Sequence, residues 1–235
     1  AGLPEDAIAA AADTAQQKGL QGWAFTLHFP SYYPVMQYSE NRALRRLMYE
    51  AYVTRASELA PKYANGKLDW DNTQNMLDQL RLRDEEARML GFANFAALSL
   101  APKMANTVDE VDLFLTNFAH KSKPFAQRDW DELCAFAKTE LGLDDIQPWD
   151  TAFAAERLKQ ERYSFSENEL KQYFPLPKVL DGLFGVIQAL FGVKIEAANL
   201  PTWHADVQSF SVKNTKGNIV AYFYLDPYAR PGKRG

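Results

Sequence analysis

Three histidines, one cysteine and two adjacent pairs of carboxylates are the side chains in this sequence best suited to bind a metal or move a proton. His28, His120 and His204 stand far apart, and none has a second ligand at the spacing that would set two on one helix face. H-E-x-x-H, C-x-x-C and His-x-Glu are all absent, so the histidines read as structural or surface residues. Cys134 lies beside Leu133 and Phe136 with no histidine nearby, which reads as a small core residue rather than a nucleophile. Acid–base catalysis needs two carboxyls facing one reacting atom; Glu85-Glu86 and Asp144-Asp145 are helix neighbours that diverge, so they read as solvated charges. Gly232-Lys233 ends like a phosphate loop, but Arg234 replaces the required Ser/Thr and Pro227 stands where the first glycine belongs.

What remains is the last apolar run, Ile219-Val220-Ala221-Tyr222-Phe223-Tyr224-Leu225. Its period of two puts Tyr222 and Tyr224 on one face of a strand and Phe223 and Leu225 on the other. Two readings stay open. In one, both faces are covered, as in a sheet packed on helices. In the other, the strand borders a groove where a peptide adds by backbone pairing.

The elements that would position this strand are mostly helices. Pro4 and the alanine-rich run to Lys18 read as a first helix, ended by Gly19. Trp23, Phe25 and Leu27 alternate like a strand before a turn at Pro30 to Pro34. Apolar stripes at helical period cover 40–59 (Leu44, Leu47, Met48, Ala51, Tyr52) and 69–90, the latter with Met76, Leu77, Leu80, Ala87 and Leu90 inside. Thr107 is the expected cap of a helix that passes Val108, Val111, Leu115 and Phe118, runs through Pro124 and reaches Gly142 by way of Trp130, Leu133, Phe136 and Ala137. At about 34 residues it spans roughly 50 Å. Shorter helices are expected over 150–163 and over 166–174, where Ser166 and Glu169 are spaced as a capping box. A buried stripe through Val179, Leu183, Phe184, Ile187, Leu190 and Phe191 precedes Gly192. Beyond it the period becomes two, with strands at Val193 and Ile195, at 207–212 and at 219–225, and a hairpin loop at Asn214-Thr215-Lys216-Gly217. The expected fold is mainly α, with elongated helical lobes over residues 1–192 and a small antiparallel β-sheet with its turn over 193–235.

Composition excludes several classes. With 235 residues, 47% hydrophobic and 24% charged, the chain is globular and large enough for one or two domains. Its 26 basic and 30 acidic side chains leave a net charge of −4 with no dense cationic run, which argues against nucleic acid or a membrane surface as partner. No apolar stretch reaches the roughly 18 residues of a membrane span. A single cysteine cannot form an internal disulfide and fits a reducing compartment such as the cytoplasm. The start at Ala1 without a basic-then-apolar leader, and the finish at a turn directly after a strand, read as an internal segment of a larger protein.

Several blocks along the chain resemble the thimet-type zinc oligopeptidases, most closely the oligopeptidase A branch. They are Trp23-Ala-Phe-Thr-Leu, Tyr33-Pro-Val-Met-Gln-Tyr38, Asn41-Arg with Met48-Tyr and Arg55-Ala-Ser57, Tyr173-Phe-Pro-Leu with Gly182-Leu-Phe and Leu190-Phe-Gly192, and Asp226-Pro-Tyr-Ala-Arg-Pro-Gly-Lys-Arg-Gly235. They occur in family order across essentially the whole chain, and the last is the most specific. The resemblance implies a cytoplasmic, zinc-dependent endopeptidase that degrades short unfolded peptides in a channel between helical lobes. In that family the H-E-x-x-H helix, the third zinc ligand and the His/Tyr residues that stabilise the transition state all lie downstream of the Asp-Pro-Tyr-Ala-Arg block. It therefore assigns no catalytic or metal residue to any position here. Zn2+ belongs to the full-length parent and none to this chain, which is expected to be inactive alone and to partner the missing C-terminal part. The resemblance also implies that the late sheet flanks the cleft, making Tyr222, Tyr224, Tyr228 and Arg230 the substrate-binding candidates. Arg230 is matched to a substrate carboxylate or to a neighbouring aspartate. The alternative is a non-enzymatic helical module that binds peptides or serves a structural role.

Overall fold

The computed structural model describes residues 1–60, 70–164, 167–230 and 233. The chain divides into two compact units: Ala1–Ala11 with Phe25–Leu158, and Ala12–Ala24 with Lys159–Gly235. The first unit carries α2 (Phe29–Tyr38), α3 (Arg42–Val53), α4 (Thr73–Met89), α5 (Phe95–Leu100) and α6 (Val108–Leu141), with the start of α1 (Glu5–Gln17) and most of α7 (Thr151–Tyr163). The second carries α8 (Glu167–Lys171), α9 (Leu176–Phe191) and the strands β1 (Lys194–Ala198), β2 (Gln208–Lys213) and β3 (Ile219–Leu225). The fold is mainly helical with a small antiparallel sheet near the C-terminus, as the patterning predicts.

Local chemistry explains the helix ends. Thr107 Oγ1 accepts the Glu110 N–H at 3.1 Å, while Glu110 Oε2 accepts the Asn106 N–H at 2.9 Å, so two free donors at the start of α6 are satisfied. The helix then runs 34 residues through Pro124 to Gly142, whose left-handed backbone (φ 65°) turns its N–H onto the Ala137 carbonyl. Gly192 ends α9 in the same way, at φ 66°.

Where expectation and structure part, the causes are local. Residues 23–28 are not a strand: among the described residues they have no partner strand, and the Thr26 N–H is satisfied by Ser31 Oγ at 2.9 Å. Phe25 and Leu27 instead pack on the core, and the expected Pro30 to Pro34 turn is helix α2, which Pro30 enters in its first turn. α3 stops at Val53 rather than near 59 because Ala56 is left-handed (φ 57°) and the Thr54 carbonyl is taken by the N–H and hydroxyl of Ser57 instead of a helical donor. The six residues of α5 are too few to show a period; its signal is the Asn94 cap, which accepts the Ala97 N–H. Asp69 and Ser166, expected at helix starts, lie outside the described residues.

The apolar stripes are also less buried than expected. Ala87 is buried in α4, but Met76, Leu77, Leu80 and Leu90 are exposed, as are Leu115 and Phe118 of α6 and Val179, Leu183, Leu190 and Phe191 of α9. A period shows which face of a helix is apolar; it does not show what lies against that face.

The core of the first unit forms where α2 meets α3: Tyr32, Val35, Met36 and Met48 are buried, with Phe25, Leu27, Leu44, Tyr52 and Trp149 packed on them. Beside it lies a charge cluster. Asp150, fully buried, accepts from Arg45 Nη2 at 2.7 Å, from Arg42 Nη2 at 2.7 Å and from the Gln147 N–H at 3.1 Å. Arg45, only 2% exposed, also donates to the Ser39 carbonyl at 2.6 Å and the Trp149 carbonyl at 3.2 Å, and its guanidinium lies 4.2 Å from the Phe153 ring centroid. A second buried link joins Gln37 Nε2 of α2 to Glu156 Oε2 of α7 at 2.8 Å.

Replacing Asp150 leaves the buried Arg45 without a countercharge, so Asp150→Asn is expected to lower unfolding free energy by about 3 kcal/mol. Arg81→Ala, which removes exposed pairs on α4, should change it by under about 0.5 kcal/mol; urea unfolding of both variants checks the contrast. Burial pushes the Asp150 carboxyl up, but the hydrogen bonds from Arg42, Arg45 and Gln147 outweigh it and hold it below the ordinary carboxylate value. On β1, the hydrogen bonds of Lys194 and Lys213 draw Glu196 down to about 2. With folded values below unfolded ones, the stability both groups contribute is complete above about pH 5, clear of the unfolded values, and is lost as pH falls through the folded values. Unfolding free energy measured in an acid series should therefore begin to fall below about pH 5.

Candidate substrate-contact site

The sheet has the order β1-β2-β3, antiparallel throughout, which makes β3 an edge strand among the described residues. Its register sets Phe210 opposite Phe223, Ser211 opposite Tyr222 and Ser209 opposite Tyr224, with a slip between Val212 and Lys213. Asn214 closes the hairpin by accepting the N–H groups of Lys216 and Asn218 on its side-chain oxygen, and Gly217 supplies the left-handed residue (φ 82°).

The two faces differ sharply. On one, Phe210 and Phe223 stack at 5.1 Å and Phe184 of α9 meets them edge-on at 5.1 and 6.2 Å, which anchors the sheet on its helix. On the other, Tyr222 and Tyr224 are 53% and 41% exposed, while Ser209 and Ser211 across the ladder are buried and donate to the Ala198 and Glu196 carbonyls. The expectation that both faces of β3 are covered therefore fails for the tyrosine face among the described residues.

Directly after β3, Asp226 gathers the turn. Arg230 donates from Nη1 and Nη2 to its two oxygens at 2.6 and 2.8 Å, Trp203 Nε1 donates at 3.2 Å, and Lys233 Nζ lies 3.3 Å away. Lys233 also donates to the Tyr228 carbonyl at 2.9 Å. The Arg230 hydrogen bonds, helped by Trp203 and Lys233 against partial burial, hold the Asp226 carboxyl far below its usual range. The aspartate partner named for Arg230 in the sequence is thus in place. Tyr228 is exposed on the same turn, and the Trp203 ring sits 5.2 Å from Tyr224 at an angle of 51°. Trp203, Asp226 and Lys233 were not among the candidates; Trp203 lies in an irregular segment between strands, where no period marks it.

The other groups with chemical potential stay apart. Glu85 pairs with Arg81, Asp144 lies 3.5 Å from Lys138, and Cys134 is half-buried on α6. His204 Nδ1 accepts the Asp206 N–H at 3.2 Å. A hollow in the first unit is lined by Arg55, Ser57, Asn72, Asn75 and Asp78, without histidine or cysteine. Among the described residues no three His, Cys, Asp or Glu side chains converge, so they do not fit a zinc site. Nor is any helix among them long and apolar enough to cross a membrane.

Comparison with known proteins covers nearly all of the chain. Residues 35–235 match the model of Peptidase family M3. The chain belongs to this family. Its M3 relatives include oligopeptidase A of Escherichia coli (strain K12), 45% identical over the whole chain and 34% of that relative. Organellar oligopeptidase A of Arabidopsis thaliana is 43% identical over the whole chain and 30% of its own length, and dipeptidyl carboxypeptidase of Escherichia coli is 35% identical over the whole chain and 34% of its own. The chain thus spans about a third of the length of the curated M3 relatives it matches.

The asymmetry of β3 has a measurable consequence. Phe210→Ala removes a buried ring from the α9 contact and is expected to lower stability by about 3 kcal/mol. Tyr222→Ala, on the open face, should change it by under about 0.5 kcal/mol. Denaturant unfolding of the two variants reads the difference directly.

Proposed function

We propose that this chain is the part of a zinc-dependent M3 oligopeptidase that helps shape the peptide cleft, with the metal and the chemical step supplied by the remainder of the same protein. The observation that carries this reading is the family match over residues 35–235, together with relatives named oligopeptidase that are about three times as long. In this reading residues 193–235 form the sheet and turn beside the cleft, and residues 1–192 the helical part that supports it. Substrates are short unfolded peptides. The tyrosine face of β3 and its edge, unpaired among the described residues, suit them, because an extended peptide can pair its backbone with an edge strand while side chains meet the exposed rings.

Tyr222, Tyr224 and Tyr228 act as contact residues. Arg230, whose terminal nitrogens already grip Asp226, serves chiefly by holding the turn that presents Tyr228. The zinc ligands come from outside the described residues, since those present do not assemble a site. The compartment we propose is the cytoplasm, supported by the single free cysteine and by similarity to the bacterial oligopeptidases A; the plant relative named above is organellar.

The test is kinetic. In the whole protein, Tyr228→Phe should raise KM several-fold with zinc content and melting temperature unchanged, as expected for a group that binds rather than reacts, whereas Arg230→Ala, which frees the turn from Asp226, should raise KM with zinc content unchanged and a lowered melting temperature. The 235-residue chain alone should hold well under one equivalent of zinc and show no chelator-sensitive cleavage of a quenched fluorescent peptide. Variants that melt early while the folded fraction keeps normal kinetics would make the strand structural and overturn the contact assignments.

A further inference from the structure

Trp203, an exposed aromatic residue of the second unit, is held by a charged hydrogen-bond network. It sits between β1 and β2 in a segment without regular structure, is 62% exposed, and makes no part of a buried cluster among the described residues. Even so, its indole N–H donates to Asp226 Oδ2 at 3.2 Å, and its ring lies 5.2 Å from Tyr224. Asp226 is itself fixed by the two-pronged grip of Arg230 and by Lys233. An exposed ring gains little from burial, so an ionic hydrogen-bond network that fixes its orientation is better explained by what the ring presents than by what it covers.

We infer that Trp203 and Tyr224 form an apolar subsite for a large, preferably aromatic, substrate side chain, with Asp226 as the positioning residue that orients the indole. This deepens the proposed function and rests on β3 bordering the peptide cleft. A peptide lying along the free edge of β3 projects alternate side chains toward the tyrosine face, and one entering beside Tyr224 meets two ring surfaces held ready for it. Two preformed aromatic walls favour a phenyl over a methyl group by roughly tenfold, because stacking adds to the apolar area removed from water. Asp226 touches no substrate in this arrangement. It acts by holding the indole N–H, a task an uncharged oxygen acceptor can also perform.

The experiment uses the whole zinc-loaded protein and quenched fluorescent peptides in which one position at a time is Phe or Ala. At one position the parent enzyme is expected to prefer Phe about tenfold in kcat/KM, expressed mainly in KM. Trp203→Ala should reduce that preference to about twofold, while Trp203→Phe, which keeps a ring, retains part of it. Asp226→Ala should weaken the same preference, and Asp226→Asn, which keeps an oxygen to accept the indole N–H, should restore it toward the parent value. Melting temperatures identify any variant that is merely unfolded, and the exposed Trp203 substitutions keep the test open if the Asp226 variants melt early. If Trp203→Ala raises KM equally for Phe and Ala peptides at every position, the subsite is wrong while the cleft reading stands. If substitutions at Trp203, Tyr222, Tyr224 and Tyr228 all leave KM unchanged in folded enzyme, both fall.

Discussion

The first unit depends on one buried carboxylate. Asp150 stands immediately before α7 and carries two arginines of α3, one of them almost wholly buried, across more than a hundred residues of sequence. A buried charge is tolerable only when its hydrogen-bonding capacity is filled, and here the arginine nitrogens and a backbone N–H fill it. The same arginine that satisfies Asp150 also takes the carbonyls of Ser39 and Trp149, so the end of α2, the body of α3 and the entry to α7 are fixed in one stroke. Hydrophobic packing of Tyr32, Val35, Met36 and Met48 supplies the attraction; the ion cluster supplies the register.

The second unit uses the same device at its surface. Asp226 ends β3 as Asp150 begins α7, and in each case paired arginine hydrogen bonds hold the carboxylate in its charged form. What differs is the surroundings. Asp150 organises buried backbone, whereas Asp226 organises an exposed turn and an exposed indole. The phenylalanine cluster beneath the sheet makes this possible, because anchoring Phe210 and Phe223 on Phe184 leaves the opposite face of β3 free of packing duty.

Membership of Peptidase family M3, with relatives about three times as long, gives the exposed apolar stripes of α4, α6 and α9 a natural place in the proposal that this chain works as part of a larger enzyme. A stripe such as Val179, Leu183 and Leu190 has the pattern of a face meant to be covered, and nothing among the described residues covers it.

Signals carried by neighbours in sequence were legible without coordinates. Thr107 and Gly142 bounded α6 because caps act within one helical turn, the Asn214 to Gly217 loop marked its hairpin because turn chemistry is local, and the family blocks identified the M3 relationship. Tertiary structure decided whatever required a partner distant in the chain. Trp23 to Leu27 has a strand's alternation, but a strand exists only where another pairs with it, and Ser31 satisfied the backbone instead. Alternation likewise sorted Tyr222 and Tyr224 from Phe223 yet could not reveal that Phe184 would cover only one face. Nor could it join Trp203 to Asp226, because a hydrogen bond across 23 residues of sequence leaves no periodic trace in the chain that makes it.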